Sequence, residues 1–246
     1  MNQEVISLLK EADKVLIGIG EFFERKDEQL STEEFKILEK ENPLLAGFER
    51  LEYWRDNPKE DAIDAYNRLF ELVEKKDYFV VTTCMDDRIY KSCFPEEKIA
   101  SPCGTWRYLQ CSDLCTEDLL EVSEEMIQKK EMIYCPHCQK RVSFNQVTCE
   151  HYNEKGYLAG WAAYRNWLQH TINKKLCIIE LGVGMKYPTI IRWPFEKIAY
   201  CNNKASFIRI HDYLYQMTEE LGHKGIGIKA DPIEFLREIG LTERKV

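Results

Sequence analysis

Four cysteines stand as two close doublets, Cys111-Ser-Asp-Leu-Cys115 and Cys135-Pro-His-Cys138, with nineteen residues between them. Two thiolate pairs at this spacing can close a tetrahedral Zn²⁺ shell. Four thiolates leave the metal no vacant position, so the expected ion is structural and not catalytic. His137 lies inside the second knuckle and is expected to face solvent. A second signal is Lys14-Val-Leu-Ile-Gly-Ile-Gly20, a run that reads as a buried strand ending in glycines. Where such a strand meets a helix, a phosphate can approach backbone N–H groups. A tight strand–helix turn without ligand is the other reading of Gly18 and Gly20.

These residues need elements to hold them. Residues near Val5 to Ala12 read as a helix, and Ser31-Thr-Glu-Glu34 is a capping-box signature opening a short one. Ile63, Tyr66, Phe70 and Val73 are spaced for an amphipathic helix. Tyr78-Phe-Val-Val-Thr-Thr83 is a continuous β-branched and aromatic run, as in a strand covered on both faces. A helix is expected from about Thr116 to Lys129, between the cysteine doublets, with the Glu-rich stretch Glu117 to Glu125 on its solvated face. Trp161, Tyr164 and Leu168 share a helical stripe; with Trp167 they read as core and rim more readily than as an aromatic platform. Leu176 to Leu181 and Ser206 to Ile210 are further strands, and Asp231-Pro232 is an N-cap and first-turn pair for a last helix reaching about Ile239. Buried strands alternating with helices predict an α/β fold, a Rossmann-like, mainly parallel sheet with a small zinc-binding lobe. The expected organisation is a single domain over 1–246, with the zinc lobe inserted at about 107–150.

The chain has 246 residues, 44% hydrophobic and 12% aromatic, enough to bury a sizeable core. Its formal charge of -8 argues against a general nucleic-acid binder, which would need a basic face. No run of 18 apolar residues is present, so no membrane span is expected. Met1-Asn-Gln-Glu lacks a secretory-signal pattern, and the ten cysteines are expected as reduced thiols and metal ligands in a cytoplasm.

Thr82-Thr-Cys-Met-Asp86, then Ser101-Pro-Cys-Gly-Thr-Trp106, then the cysteine doublets follow one another in an order that resembles the sirtuins. The chain is most similar to the macrodomain-linked branch of microbial sirtuins. Gln110 to Cys115 resembles its Gln-Cys-Ser-x-x-Cys knuckle, and Glu180 to Gly184 with Pro188 to Phe195 resembles its Glu-Leu-Gly-Val-Gly and Pro-x-Ile-Ile-Arg-x-Pro-Phe segments. The Tyr53-Trp54 pair is a further echo. The resemblance covers nearly the whole chain, with a shorter segment between Gly20 and Tyr53. It implies NAD at the carboxyl ends of the strands, a zinc lobe closing over it, and ADP-ribosyl transfer or lysine deacylation on a protein substrate. By resemblance, Gly18, Gly20, Gly182 and His211 would hold the cofactor, and Cys84, Cys103 and Asp86 would line the nicotinamide pocket.

The departures from the family pattern fall on the chemistry. The family's Gly-Ala-Gly-Ala-Gly-Leu-Ser run is here Gly18-Ile-Gly-Glu-Phe-Phe-Glu24, so Phe22 replaces a glycine and Glu24 a serine. Glu21 and Glu24 bring negative charge toward a site meant for a dianion. Two unit charges about 5 Å apart at an effective dielectric near 20 repel by roughly 3 kcal/mol, about two decades in affinity. Cys84 replaces the ribose-orienting Asn, and Cys103 the catalytic His (Gln in the macrodomain-linked branch). An ordinary thiol has a pKa of about 8.5 and is a poor substitute for an imidazole base at neutral pH. Three functions follow: an NAD-dependent transferase of weakened or altered chemistry; a pseudoenzyme, that is, a zinc-stapled scaffold or nucleotide sensor binding a protein partner; or a thiol activity of Cys84 and Cys103. The plain alternative for those two thiols is small buried apolar side chains. Arg192, in the matched segment, is either functional or part of a structural ion pair.

Overall fold

The computed structural model describes residues 2–26 and 30–239. Helix α1 (Asn2–Glu11) buries Val5, Ile6 and Leu9. It is followed by strand β1 (Lys14–Ile19), helices α2 (Glu33–Glu41), α3 (Pro43–Asp56) and α4 (Asp61–Val73), and strand β2 (Asp77–Thr82). Next come β3 (Ile99–Ala100), β4 (Gly104–Cys111), β5 (Leu120–Glu121), the short helix α5 (Glu124–Lys129) and β6 (Val142–Gln146). The chain continues with α6 (Lys155–Gln169), β7 (Leu176–Leu181), α7 (Arg192–Cys201), β8 (Ala205–His211), β9 (Gly225–Lys229) and α8 (Pro232–Glu238).

Six strands form one parallel sheet in the order β3-β2-β1-β7-β8-β9. Strand β1 lies centrally, with Ile17 level with Val80 of β2 and Ile179 of β7. Its side chains alternate between two cores, as the two-residue period of a strand requires. Val15, Ile17 and Ile19 join Leu9, Tyr66, Leu69 and Leu236 on one face. Leu16 joins Phe79, Trp167, Ile191 and Phe195 on the other. Helices on both faces explain why these strands read as unbroken apolar runs and not as alternating ones. Tyr164 and Trp167 are buried in the second core, with Trp161 and Leu168 packed at its edge, so the aromatic stripe of α6 is core.

A three-stranded antiparallel sheet, β5-β4-β6, forms the smaller lobe. Leu109, Val142 and Phe144 of that sheet pack on Leu44 and Phe48 of α3. The lobe is thus built from the cysteine segment and from a helical segment earlier in the chain. The helix expected from Thr116 to Lys129 is only its last turn and a half. Leu120 and Glu121 instead pair with Leu109 and Tyr108 as an edge strand, and Ser123 caps α5, accepting from the Met126 N–H at 3.3 Å. The cap of α2 is Thr32, one residue past the expected Ser31, accepting from the Phe35 N–H at 3.2 Å. Asp231 caps α8 as expected, accepting from the N–H groups of Ile233 and Glu234. Among the described residues no helix is long and apolar enough to cross a membrane.

Candidate functional site

The carboxyl ends of β1, β2, β7 and β8 meet at one edge of the large sheet, which is where open α/β sheets carry their ligands. The turn after β1 fills this edge with its own residues. Gly20 N–H donates to the Leu181 carbonyl at 2.9 Å, Phe22 N–H to Gly182 at 3.1 Å, Phe23 N–H to Gly20 at 3.0 Å and Glu24 N–H to Glu21 at 3.1 Å. The Arg25 N–H donates to the Asp86 carboxylate at 2.7 Å. These donors are therefore spent inside the fold. The Glu21 carboxylate then takes two more: it accepts from the N–H of Gly184 and from that of Lys186, each at 3.1 Å.

Each glycine expected here has a local reason. Gly18 lies inside β1 and faces α7; a Cβ on it would meet Ile191 at 2.6 Å and Phe195 at 2.7 Å, so it is a packing glycine of the sheet–helix contact. Gly20 touches the backbone of Val183 and Gly182 so closely that any side chain would collide. Gly182 sits at φ +60, and a side chain on it would meet Phe22 at 2.5 Å. The Phe22 Cβ lies over this glycine, and its ring stands edge-on to the His211 imidazole. The backbone N–H groups of Tyr213 and Leu214 both donate to His211 Nδ1 at 3.2 Å, which assigns the ring proton to Nε2. Burial, with Arg192 nearby, lowers the His211 pKa and keeps the ring neutral.

Pyrophosphate needs unpaired N–H donors or cations to balance its charge. At this edge the N–H groups of residues 20 and 22–25 have internal acceptors, those of 184 and 186 hold a carboxylate, and Phe22 covers Gly182. As they stand, these residues do not fit a dinucleotide.

The segment after β2 brings the expected reaction-centre residues to the same edge. Cys84 is buried; its backbone N–H donates to Thr82 Oγ1 and its thiol to the Gly20 carbonyl, both at 3.0 Å. Burial, aided by the Asp86 and Glu24 carboxylates, pushes its pKa well up. Cys103 is fully buried, and burial with Glu24 and Glu21 nearby pushes it up to about 12. Both thiols stay protonated at neutral pH, which removes the thiolate that nucleophilic or redox chemistry needs. Asp86 is held by Arg88, whose Nε donates to it at 2.9 Å, while the same guanidinium reaches the Phe23 carbonyl and Asp61. Asp86 thus fastens the glycine turn to the β2 segment.

Glu24 stands among these groups. Burial raises its pKa, Lys186 at 3.8 Å opposes the rise, and Asp86 and Glu21 add to it. Glu24 and Lys186 open onto a cleft of about 660 Å³ between α3, the small sheet and the strand ends. Trp54, Trp106 and Phe144 form its apolar wall. Gln146 at the end of β6 lines it too, and its Nε2 is buried without a partner. Arg88, Lys186 and Gln146 carried no local signal in the sequence, because each matters through residues distant in the chain.

Arg192 belongs to a buried ion network. Arg209 grips Glu180 through two bonds of 3.0 and 2.9 Å and reaches Glu196 at 2.7 Å. Arg192 lies 3.4 Å from Glu180 and donates to the carbonyls of Val183 and Leu214 at 2.8 and 3.0 Å. It anchors the two loops that flank His211, which is the structural reading.

The four cysteines of the doublets converge as expected. The sulfurs of Cys111, Cys115, Cys135 and Cys138 all lie within 4.8 Å of one another, with Cys111 to Cys138 and Cys115 to Cys135 at 3.5 Å. A tetrahedron of thiolates at the Zn–S bond length has edges of about 3.8 Å, so the set fits Zn²⁺ closely. His137 lies outside the cluster, exposed, 3.6 Å from Asp118.

No protein-family model matches the chain. Over 175 residues it is 25% identical to a Fusarium oxysporum f. sp. cubense protein named probable bifunctional ADP-ribose hydrolase/ADP-ribosyltransferase, covering 64% of this chain and 29% of that one. Over 180 residues it is 23% identical to a Staphylococcus aureus protein ADP-ribosyltransferase, covering 68% of this chain and 57% of that one. The chain thus spans less than two thirds of the length of both relatives. Among solved structures, a Sir2 enzyme superposes with a TM-score of 0.63 at 17% identity, covering 97% of each chain. A Sir2 homologue in complex with NAD superposes at 0.62 and 13% identity, covering 100% of this chain and 94% of that one. Sir2Af2 bound to a myristoylated histone peptide superposes at 0.61 and 15% identity, covering 100% and 98%. The parallel sheet, the four-cysteine lobe and these superpositions make this chain a protein of the sirtuin fold.

Proposed function

We propose that this chain is a sirtuin-fold protein whose dinucleotide site is taken up by its own residues. It acts as a zinc-stapled scaffold that binds a protein partner, and not as a competent transferase. One observation carries this reading: the Glu21 carboxylate lies on the Gly184 and Lys186 N–H groups. A bound anion would compete for those donors against an internal group that carries no entropy cost of association. The protonated thiols at positions 84 and 103 support it, since neither supplies a base or an amide. The proposed partner is a protein because the interlobe cleft is open and lined by aromatic side chains, and because a neighbour of the same fold is described as bound to a peptide. Nucleic acid is a poor partner for a chain of net charge -8.

A second reading keeps the NAD-dependent transferase, by ADP-ribosyl transfer or lysine deacylation, with weakened or altered chemistry. It is favoured by the gathering of Cys84, Asp86, Cys103 and Glu24 beside one cleft and by the names of the two relatives. It requires the Glu21–Phe22 turn to leave the strand ends. Calorimetric titration of the zinc-loaded chain with NAD and with ADP-ribose separates the two. Absence of heat, with no shift in melting temperature, supports the scaffold; submillimolar binding supports the transferase.

A further inference from the structure

We infer that Glu21 is a built-in anion: its carboxylate occupies a backbone concavity that, once vacated, takes a phosphate group, and Phe22 separately covers the His211 side of the same strand-end edge. The inference rests on the closed site proposed above and adds which atoms close it and how they come apart.

The concavity is made by the segment after β7. Gly182 at φ +60 turns the chain so that the N–H groups of Gly184 and Lys186 point toward the β1 turn. Neighbouring backbone N–H groups aimed at one point form an anion-binding concavity, and here those of Gly184 and Lys186, two residues apart, converge on one carboxylate. Both N–H groups end on the two oxygens of one carboxylate, a bidentate geometry that a phosphate oxygen pair can copy. A Cβ on Gly184 would meet the Glu21 carboxylate at 2.3 Å, so a side chain there would displace that carboxylate. Two cations stand nearby: Lys186 contributes its own ammonium, and Arg192 is tied to the Val183 carbonyl within the same loop. Glu24 is occupied with Lys186 and the Met85 N–H, so the concavity is left to Glu21.

The second closure is apolar and independent of charge. Phe22 sets its Cβ over Gly182 and its ring against His211, while its backbone N–H donates to the Gly182 carbonyl, so an alanine here uncovers the His211 side and keeps the Cβ on Gly182. Removing the phenyl ring would leave that backbone bond in place. Removing the Glu21 carboxylate would leave the ring in place. The two closures are therefore separable by mutation, and they exclude different parts of a ligand.

The test uses the full zinc-loaded chain and two probes, inorganic pyrophosphate and ADP-ribose, titrated by calorimetry into wild type, Glu21→Ala, Phe22→Ala and the double variant. Removing a like charge at about 5 Å predicts roughly 100-fold tighter pyrophosphate binding to Glu21→Ala than to wild type. Phe22→Ala alone is expected to gain nothing toward pyrophosphate, and only the double variant to gain toward ADP-ribose. Retained zinc content and a cooperative melting transition establish that each variant is folded. Folded Glu21→Ala without gain for pyrophosphate, while wild type stays silent toward both probes, overturns this inference and leaves the closed-site reading standing. Wild type that already binds ADP-ribose as tightly as the double variant overturns both. If Glu21→Ala does not fold, Glu21→Gln, which keeps one acceptor and loses the charge, carries the same expectation of gain.

Discussion

The Phe22 ring stands edge-on to the His211 imidazole, with ring centroids 5.6 Å apart and planes inclined at 71°. His211 ends β8 and Phe22 follows β1, so the contact bridges two strand ends across β7. Burial and the nearby Arg192 hold the imidazole neutral, and Nδ1 accepts two backbone N–H bonds. A histidine whose folded pKa is lowered binds fewer protons folded than unfolded below its ordinary value. Its contribution is fully present above about pH 6.5 and is lost as pH falls toward the folded pKa. Wild type is expected to lose stability as pH falls below about 6.5 in urea unfolding series. His211→Asn, which can keep an acceptor for the Tyr213 and Leu214 N–H groups, is expected to flatten that slope. An unchanged slope would place the titration elsewhere.

The buried ion network predicts a cost with a pH signature. Arg209→Met leaves Glu180 without its bidentate partner, a loss of about 3 to 5 kcal/mol for a broken buried pair. Burial already raises the Glu180 pKa, and Arg209 is the main group opposing that rise. Without Arg209 the folded pKa rises further above the unfolded one. The variant is then most stable below the ordinary carboxylate pKa and loses stability as pH rises through the folded value. The deficit against wild type should grow as pH rises above the ordinary carboxylate range. A deficit independent of pH would mean that Glu180 has the same protonation state in both folded proteins across that range.

The thiols should divide by position. Cys93 and Cys201 are exposed, whereas Cys84 and Cys103 are buried with raised pKa values. Limiting alkylation at neutral pH, read by mass spectrometry, should label Cys93 and Cys201 at least about 100-fold faster, since the thiolate is the reacting form. Rapid labelling of Cys103 would revive a thiol chemistry in this pocket.

Much of the fold was legible because its signals are local. Leu176 to Leu181 is a continuous apolar run, interrupted only by Glu180, and such a run marks a strand covered on both sides. The cysteine doublets carried the zinc geometry in their spacing alone. The helix boundary near Thr116 was not legible, since Leu120 and Glu121 become a strand only by pairing with β4. The same holds for the site. Glu21 read as a charge facing a dianion, but its partners lie in the Gly184–Lys186 segment, far along the chain, so its capture of their N–H groups is a tertiary fact. Gly18 read as either a phosphate glycine or a ligand-free turn, and its open side is filled by Ile191 and by Phe195 of α7. Asp86 read as a pocket lining, and the ion pair with Arg88 gives it a positioning role.

Zinc should behave as a staple. Cys111 and Cys135 belong to the small-lobe core with Leu109 and Phe144, so metal loss opens that core. Cys135→Ser is expected to lose stoichiometric zinc by elemental analysis and to lower the melting temperature by about 10 °C or more. That drop corresponds to several kcal/mol in a domain of this size. His137→Ala should retain full zinc content, since its ring lies outside the cluster.

The central claim is that the strand-end site is closed by the chain itself, and calorimetric titration of zinc-loaded wild type with ADP-ribose tests it most directly. The closed site predicts no heat of binding up to millimolar ligand. A saturable isotherm with a submillimolar dissociation constant would contradict it and return the chain to the NAD-dependent transferases.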